Sequence, residues 1–264
     1  MLAFERRGQG PPLLLLHGTN SSRRVWEPII PELSAHREVI SVDLPAHGDS
    51  PPSSYNPLAF ARDIGTLLGE LELPAPAIVG HSVGGWTALE LAKLGHASAV
   101  LALAPAGFWH RHSPLLTDIG LSLNWRMGRL LGAGAVERTL ATRAGRRLGL
   151  WWISARAGEV PSDAALQTGR AAIASEHFPE HFRQTRKLRF TDGERIAPTV
   201  PVTVIWGERD RVAPASRSRN PEELPSHARV ETWSGCGHMV FWDAPQKTIA
   251  AALAFSPSPA ATSG

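Results

Sequence analysis

The chain has 264 residues, 43% of them hydrophobic, a single cysteine and a formal net charge of +3. That length supports one large core, and the lone Cys236 excludes an internal disulfide framework and fits a reducing compartment. The opening Met1-Leu2-Ala3-Phe4-Glu5-Arg6-Arg7 lacks the apolar stretch of a secretory signal, and no later run is long and apolar enough to span a bilayer. A cytoplasmic protein with no membrane partner is therefore expected.

In chain order, Leu13-Leu14-Leu15-Leu16 forms a short apolar run that suits a strand buried on both faces, ending at His17-Gly18-Thr19-Asn20. A helical stretch follows around Trp26, Ile29, Ile30 and Leu33. A second strand, Glu38 to Val42, then runs into the turn-rich Asp43-Leu44-Pro45-Ala46-His47-Gly48-Asp49-Ser50. Apolar residues recur at helical spacing from Pro57 to Leu71. The third strand delivers Gly80-His81-Ser82-Val83-Gly84, with a helix to about Gly95, and Ala99 to Ala104 reads as a fourth strand. Strands alternating with helices imply an α/β fold with a mostly parallel, doubly wound sheet.

From Phe108 to about Phe190 the rhythm breaks. The segment is helical in character, rich in tryptophan, and carries 13 Lys and Arg against 6 Asp and Glu over residues 107–190. An insertion after a strand's carboxyl end lies over the crevice where such sheets bind ligands, so 107–190 reads as a helical cap on a core made of 1–106 and 191–255. Its arginines are dispersed among Leu, Ala and Gly without an aromatic stacking platform, which argues against nucleic acid as a partner. Strands at Val202 to Trp206 and Ala228 to Trp233 resume the sheet, with a helix near Ala213 to Arg219 between them. A last helix runs from about Ala244 to Ala254, and the low-complexity tail 256–264 is expected to be disordered.

Gly80-x-Ser82-x-Gly84 between a strand and a helix puts a hydroxyl on a sharp turn, where a base can take its proton. With His17-Gly18, Asp43 to Ser50, Trp206-Gly207-Glu208-Arg209-Asp210 and Gly235-Cys236-Gly237-His238, each after a predicted strand, the chain resembles the α/β-hydrolase family with an inserted cap. The likeness covers nearly everything outside 107–190. It implies Ser82 as nucleophile, His238 as general base and Asp210 as the acid that orients it, with Glu208 and Asp243 as rivals for that third place. It also implies an oxyanion hole from the N–H groups of Val83 and Thr19. Family members usually carry Gly where Ala46 stands, which affects the shape of that loop.

His17 is expected to support the loop beside the site, His81 to line the pocket or pack, and His36, His96 and His227 to lie at the surface. His177-Phe178-Pro179-Glu180-His181 matches a zinc-protease pattern, yet Pro179 disfavours the continuous helix that pattern needs, so no metal and no cofactor are expected. Cys236 is read as a small buried hydrophobe. Candidate pocket residues are His81, Trp86, Phe108, Trp109, Trp152 and Met239. The expected reaction is hydrolysis of a small to medium carboxylic ester by water through an acyl-serine intermediate. A serine at the turn argues against dehalogenase and epoxide-hydrolase relatives, which use aspartate there. Carbon–carbon bond hydrolases, lactonases and cofactor-free perhydrolases share the triad and stay open, as do a homo-oligomer and a ligand-binding receptor on the same scaffold.

Overall fold

The computed structural model describes residues 1–255 except 74, 111, 112, 114, 176 and 177, with the side chains of 116, 179 and 181 also left aside. The expected disorder of 256–264 lies outside the described residues. A seven-stranded sheet runs in the order β1-β3-β2-β4-β5-β6-β7. Its strands are β1 (Phe4–Arg7), β2 (Pro12–Leu16), β3 (Glu38–Val42), β4 (Ala77–His81), β5 (Ala99–Leu103), β6 (Val202–Gly207) and β7 (Arg229–Trp233). Only β1 is antiparallel, pairing Phe4 with Val42 through Arg7 with Val39.

Leu13, Leu14, Leu15 and Leu16 are all fully buried, as a central strand covered on both faces requires. Helices α1 (Ile30–Ser34), α2 (Pro57–Glu70) and α3 (Val83–Lys93) connect the first strands. Asn56 caps α2 by accepting from the Leu58 N–H, and Pro57 opens that helix, where its missing N–H costs nothing.

Between β5 and β6 lie α4 (Leu115–Leu131), α5 (Ala133–Ala141), α6 (Arg143–Leu150), α7 (Ser162–Ala174) and α8 (Phe178–Thr185). A short α9 (Ala215–Ser218) precedes β7, and α10 (Val240–Asp243) and α11 (Pro245–Leu253) follow it. The connection expected near Ala213 to Arg219 is thus helical for a single turn only.

The chain leaves β2 for β3 on one side and then crosses to β4 on the other, so its direction of winding reverses between β2 and β4. Loops leaving the carboxyl ends of neighbouring strands diverge at such a point and open a crevice. The register sets Leu16 beside Gly80, which brings Gly18 and Ser82 to the rim of that crevice.

Candidate active site

Ser82 stands between β4 and α3 with φ 53° and ψ −117°, a left-handed conformation that an L-residue holds only under strain. Three backbone hydrogen bonds hold it there. Its N–H donates to Leu103 (2.9 Å), and its carbonyl accepts from Trp86 (3.1 Å) and Ala106 (3.0 Å). A Cβ on Gly80 would come within 2.6 Å of the Gly84 carbonyl carbon, and one on Gly84 within 2.6 Å of that of Leu16. Both glycines are therefore needed for strand and helix to pass this closely.

Among the described residues, the N–H groups of Thr19 and Val83 donate to no protein acceptor. Val83 opens α3, where the first N–H groups lack intrahelical partners and the helix dipole is positive. The Thr19 loop abuts the serine, since a Cβ on Gly18 would lie 3.0 Å from Ser82 Cβ. His17 fixes this loop. Its Nε2 accepts from the Leu44 N–H (3.0 Å), so Nδ1 carries the proton and donates to the Gly18 carbonyl (2.7 Å). Burial pushes its pKa down to about 4, which agrees with a neutral ring on both counts.

Next to it, the Asp43 carboxylate accepts from the Arg23 N–H and guanidinium and from the Asp49 N–H, shaping the 43–50 loop. Ala46 sits at φ 61° in that loop, the conformation for which glycine is favoured.

His238 leaves the loop after β7, and its Nδ1 lies 2.9 Å from Asp210 Oδ2. The other oxygen of Asp210 accepts from the N–H groups of Val212 (2.9 Å) and Ala213 (2.8 Å). Burial pushes the Asp210 carboxyl up, but attraction to His238 and these hydrogen bonds outweigh it and hold the group below its ordinary value. Glu208 is turned to solvent, accepting from the Ser234 hydroxyl and the Gly235 N–H.

Asp243 is buried at the end of α10. It accepts from Ser154 Oγ (2.6 Å) and from the N–H groups of Ala155 (3.0 Å), Arg156 (2.9 Å) and Gly237 (2.6 Å). His81 donates from Nε2 to the His238 carbonyl (3.1 Å), and burial followed by the nearby His238 holds its pKa well below the ordinary imidazole value.

Ser82 and His238 line one cavity of about 150 Å³, together with Gly18, Thr19 and Val83. Of the candidate pocket residues, His81, Trp109 and Met239 line it. Trp86, Phe108 and Trp152 do not. Trp86 donates from Nε1 to Glu90, one turn further along α3 (3.0 Å), Phe108 packs between Phe190 and Trp206, and Trp152 lies against Gly120. Sequence reasoning missed Leu121, Trp125, Ile153 and Phe182, which come from the insertion, and Val212 next to Asp210.

Outside the cavity, His36 is exposed while His96 and His227 are half-buried, His227 contacting the Val200 carbonyl at 3.0 Å. Cys236 is 3% exposed, and burial raises its thiol pKa. His177 and the side chain of His181 lie outside the described residues. Pro179 falls in the first turn of α8, the position at which a helix tolerates proline. Among the described residues no group of three His, Cys, Asp or Glu is arranged to hold a metal ion.

A model of the alpha/beta hydrolase fold family matches residues 11–245. The pimeloyl-[acyl-carrier protein] methyl ester esterase of Xanthomonas oryzae pv. oryzae is 32% identical over 245 residues, covering 89% of this chain and 90% of the relative. The epoxide hydrolase EphH of Mycobacterium tuberculosis is 32% identical over 198 residues, covering 70% of this chain and 88% of the relative. Among solved structures, the esterase RhEst1 from Rhodococcus sp. superposes with a TM-score of 0.69 at 21% identity, covering 95% of this chain and 92% of that one. A meta-cleavage product hydrolase from Pseudomonas fluorescens gives 0.69 at 22% identity, covering 96% and 92%. With a parallel sheet, a strained serine at the winding reversal and a family match across most of its length, the chain belongs to the α/β-hydrolase fold family.

Proposed function

We propose that this protein is a serine hydrolase that cleaves small to medium carboxylic esters through an acyl-serine intermediate. The observation that carries the reading is the pairing of His238 Nδ1 with buried Asp210 at 2.9 Å, on the wall of the cavity that holds the strained Ser82. Asp210 accepts a hydrogen bond from Nδ1–H, which leaves His238 Nε2 unprotonated and free as a base. Ser82 Oγ attacks the ester carbonyl as His238 takes its proton, and the oxyanion forms against the N–H groups of Val83 and Thr19. His238 returns the proton to the departing alcohol. Water, deprotonated by the same imidazole, then attacks the acyl-serine, releasing a carboxylic acid and restoring Ser82. The chemistry needs no cofactor.

Residues 107–190 act as a cap, because Leu121, Trp125 and Phe182 close the same cavity from above and give the acyl group an apolar seat. The 32% identical methyl ester esterase supports an ester substrate, and a serine at the turn where the sequence likeness puts an aspartate in epoxide hydrolases argues against EphH chemistry.

The test is hydrolysis of p-nitrophenyl acetate, butyrate and octanoate by the wild type and by Ser82→Ala. Turnover that falls to background in a folded variant is the expected result. Absence of turnover on any ester, with a fluorophosphonate still labelling Ser82, would move the reading to a carbon–carbon bond, lactone or peracid. Failure to label would overturn the nucleophile.

A further inference from the structure

Large apolar side chains left exposed by this fold are concentrated in one place. Of the eleven among the described residues, eight lie between β5 and β6. On α4, Leu115, Ile119, Leu123, Met127 and Leu130 recur every three or four residues along one outward stripe, with Leu115 66% and Leu130 79% exposed. At a rise of about 1.5 Å per residue the stripe is about 22 Å long. Its opposite side faces the cavity through Leu121 and Trp125, so the helix is apolar on both faces while only the inner one is covered. Trp151 extends the exposed surface. It stacks edge-on against Trp152, whose ring lies on Gly120 of α4, and Leu148 of α6 is exposed nearby in the chain.

The charge around this stripe is mostly positive, the exceptions being Glu137 of α5, which pairs with Arg170, and exposed Glu159, next to the Gly158 on which the stems of Arg143 and Arg147 lie. The lone acid of α4, Asp118, is buried and paired with Arg186, whereas Arg126 and Arg129 are exposed. Arg138, Arg143 and Arg147 on α5 and α6 are exposed too, and among the described residues none of the three has an ion-pair partner. An outward apolar stripe flanked by unpaired arginines complements a surface that is apolar within and negatively charged at its face. A second copy of this chain complements it less well, because an isologous pairing brings together two patches of the same net positive charge.

We propose that the outward face of α4, with the exposed arginines of α5 and α6, is a docking surface for an anionic lipid bilayer. The protein lies on such a bilayer without crossing it, since among the described residues no helix is long and apolar enough to span one. This surface departs from the sequence expectation of no membrane partner. The reason is physical: hydrophobic periodicity does not show that α4 commits one apolar side to the cavity and leaves the other in solvent. The proposal does not depend on the esterase reading, because it concerns the side of α4 turned away from Ser82.

The experiment is sedimentation of the full chain with sucrose-loaded vesicles of phosphatidylcholine alone or with a third phosphatidylglycerol, at low and high salt. The wild type is expected to partition to the anionic vesicles at least about tenfold better than to the neutral ones, and to be released by salt. Leu123→Glu combined with Leu130→Glu should abolish binding while leaving the melting temperature and any p-nitrophenyl butyrate turnover as in the wild type. Should that variant fail to fold, Arg126→Glu combined with Arg147→Glu removes the charge instead and is expected to cut anionic binding by a similar factor. Equal binding to neutral and anionic vesicles, no binding by the wild type, or unchanged binding by a folded variant overturns the proposal. So does a dimer in solution that Leu123→Glu dissociates, which would make the face an interface between copies.

Discussion

His17 makes the acid stability of this fold calculable. Both ring nitrogens are committed, Nε2 accepting from Leu44 and Nδ1 donating to Gly18, so protonation must break the first of these bonds inside a fully buried site. Its folded pKa of about 4 lies below the ordinary 6.5. The unfolded chain therefore binds the proton first as pH falls, and the stability His17 contributes is complete above 6.5 and lost progressively as pH falls towards 4. At 1.36 kcal/mol per unit, moving from about pH 7 to about pH 5 costs the fold about 2 kcal/mol through this group alone. His17→Gln keeps a donor and an acceptor but cannot titrate. Urea unfolding of both proteins at the two pH values isolates the contribution of His17, because His81, which is also held below the ordinary imidazole value, acts in both. The variant should lose about 2 kcal/mol less than the wild type on acidification. Equal losses would mean that His17 is protonated in the native state, and the tautomer assigned from its hydrogen bonds would be wrong.

Asp210→Asn should lower kcat roughly ten-thousandfold by removing the group that sets the His238 tautomer, while Glu208→Gln changes it less than about twofold; steady-state kinetics on a soluble ester separates the two. Ala46→Gly relieves a left-handed alanine worth about 1–2 kcal/mol and loosens the unfolded chain by about 0.4–1 kcal/mol, so a rise in melting temperature of about 1–3 °C is expected by calorimetry. Asp243→Asn turns an amide donor towards N–H groups that need an acceptor. It should cost about 2–4 kcal/mol in urea unfolding and lower kcat as well, through loss of order in the loop carrying His238.

Most of the sheet is legible in the sequence because its central strands are buried on both faces and so read as unbroken apolar runs, Leu13 to Leu16 above all. Thr19, Ser82 and Asp210 follow from those runs, since each sits just beyond one, whereas His238 follows β7, a largely exposed strand. β1 is not legible. Phe4-Glu5-Arg6-Arg7 has the composition of a surface segment, and its pairing with β3 is supported by ion pairs to residues far along the chain, Arg6 with Glu38 and Arg7 with Glu27. Cavity residues of the insertion are hidden for a different reason. α4 carries Leu121 and Trp125 inward and Leu123 and Met127 outward, so hydrophobic periodicity offers no single face to bury. Trp86 misleads by nearness in sequence: four residues past Ser82, it lies one turn into α3, bonds to Glu90 and meets Trp109 edge-on, and it is Trp109 that lines the cavity.

Asp243 shows where position along the chain stops being informative. Chain order removes it from the relay between Ser82 and His238, and nothing else in the sequence gives it work. In the fold, its two oxygens join Ser154, Ala155 and Arg156 of the insertion to Gly237, next to His238, and the Met239 N–H donates to the Ile153 carbonyl at 2.8 Å beside them. One wall of the cavity, Ile153, is thereby tied to the loop that carries the proposed base. Among the described residues, α4 and α8 have no equivalent buried carboxylate clamp to that loop. α4 is tied instead to the other half of the pair, since the Thr117 hydroxyl donates to the carbonyl of Val212 (2.6 Å), whose own N–H donates to Asp210. The insertion thus grips both loops of the His238–Asp210 pair, so a substitution at Asp243 or Thr117 reaches the imidazole without touching it.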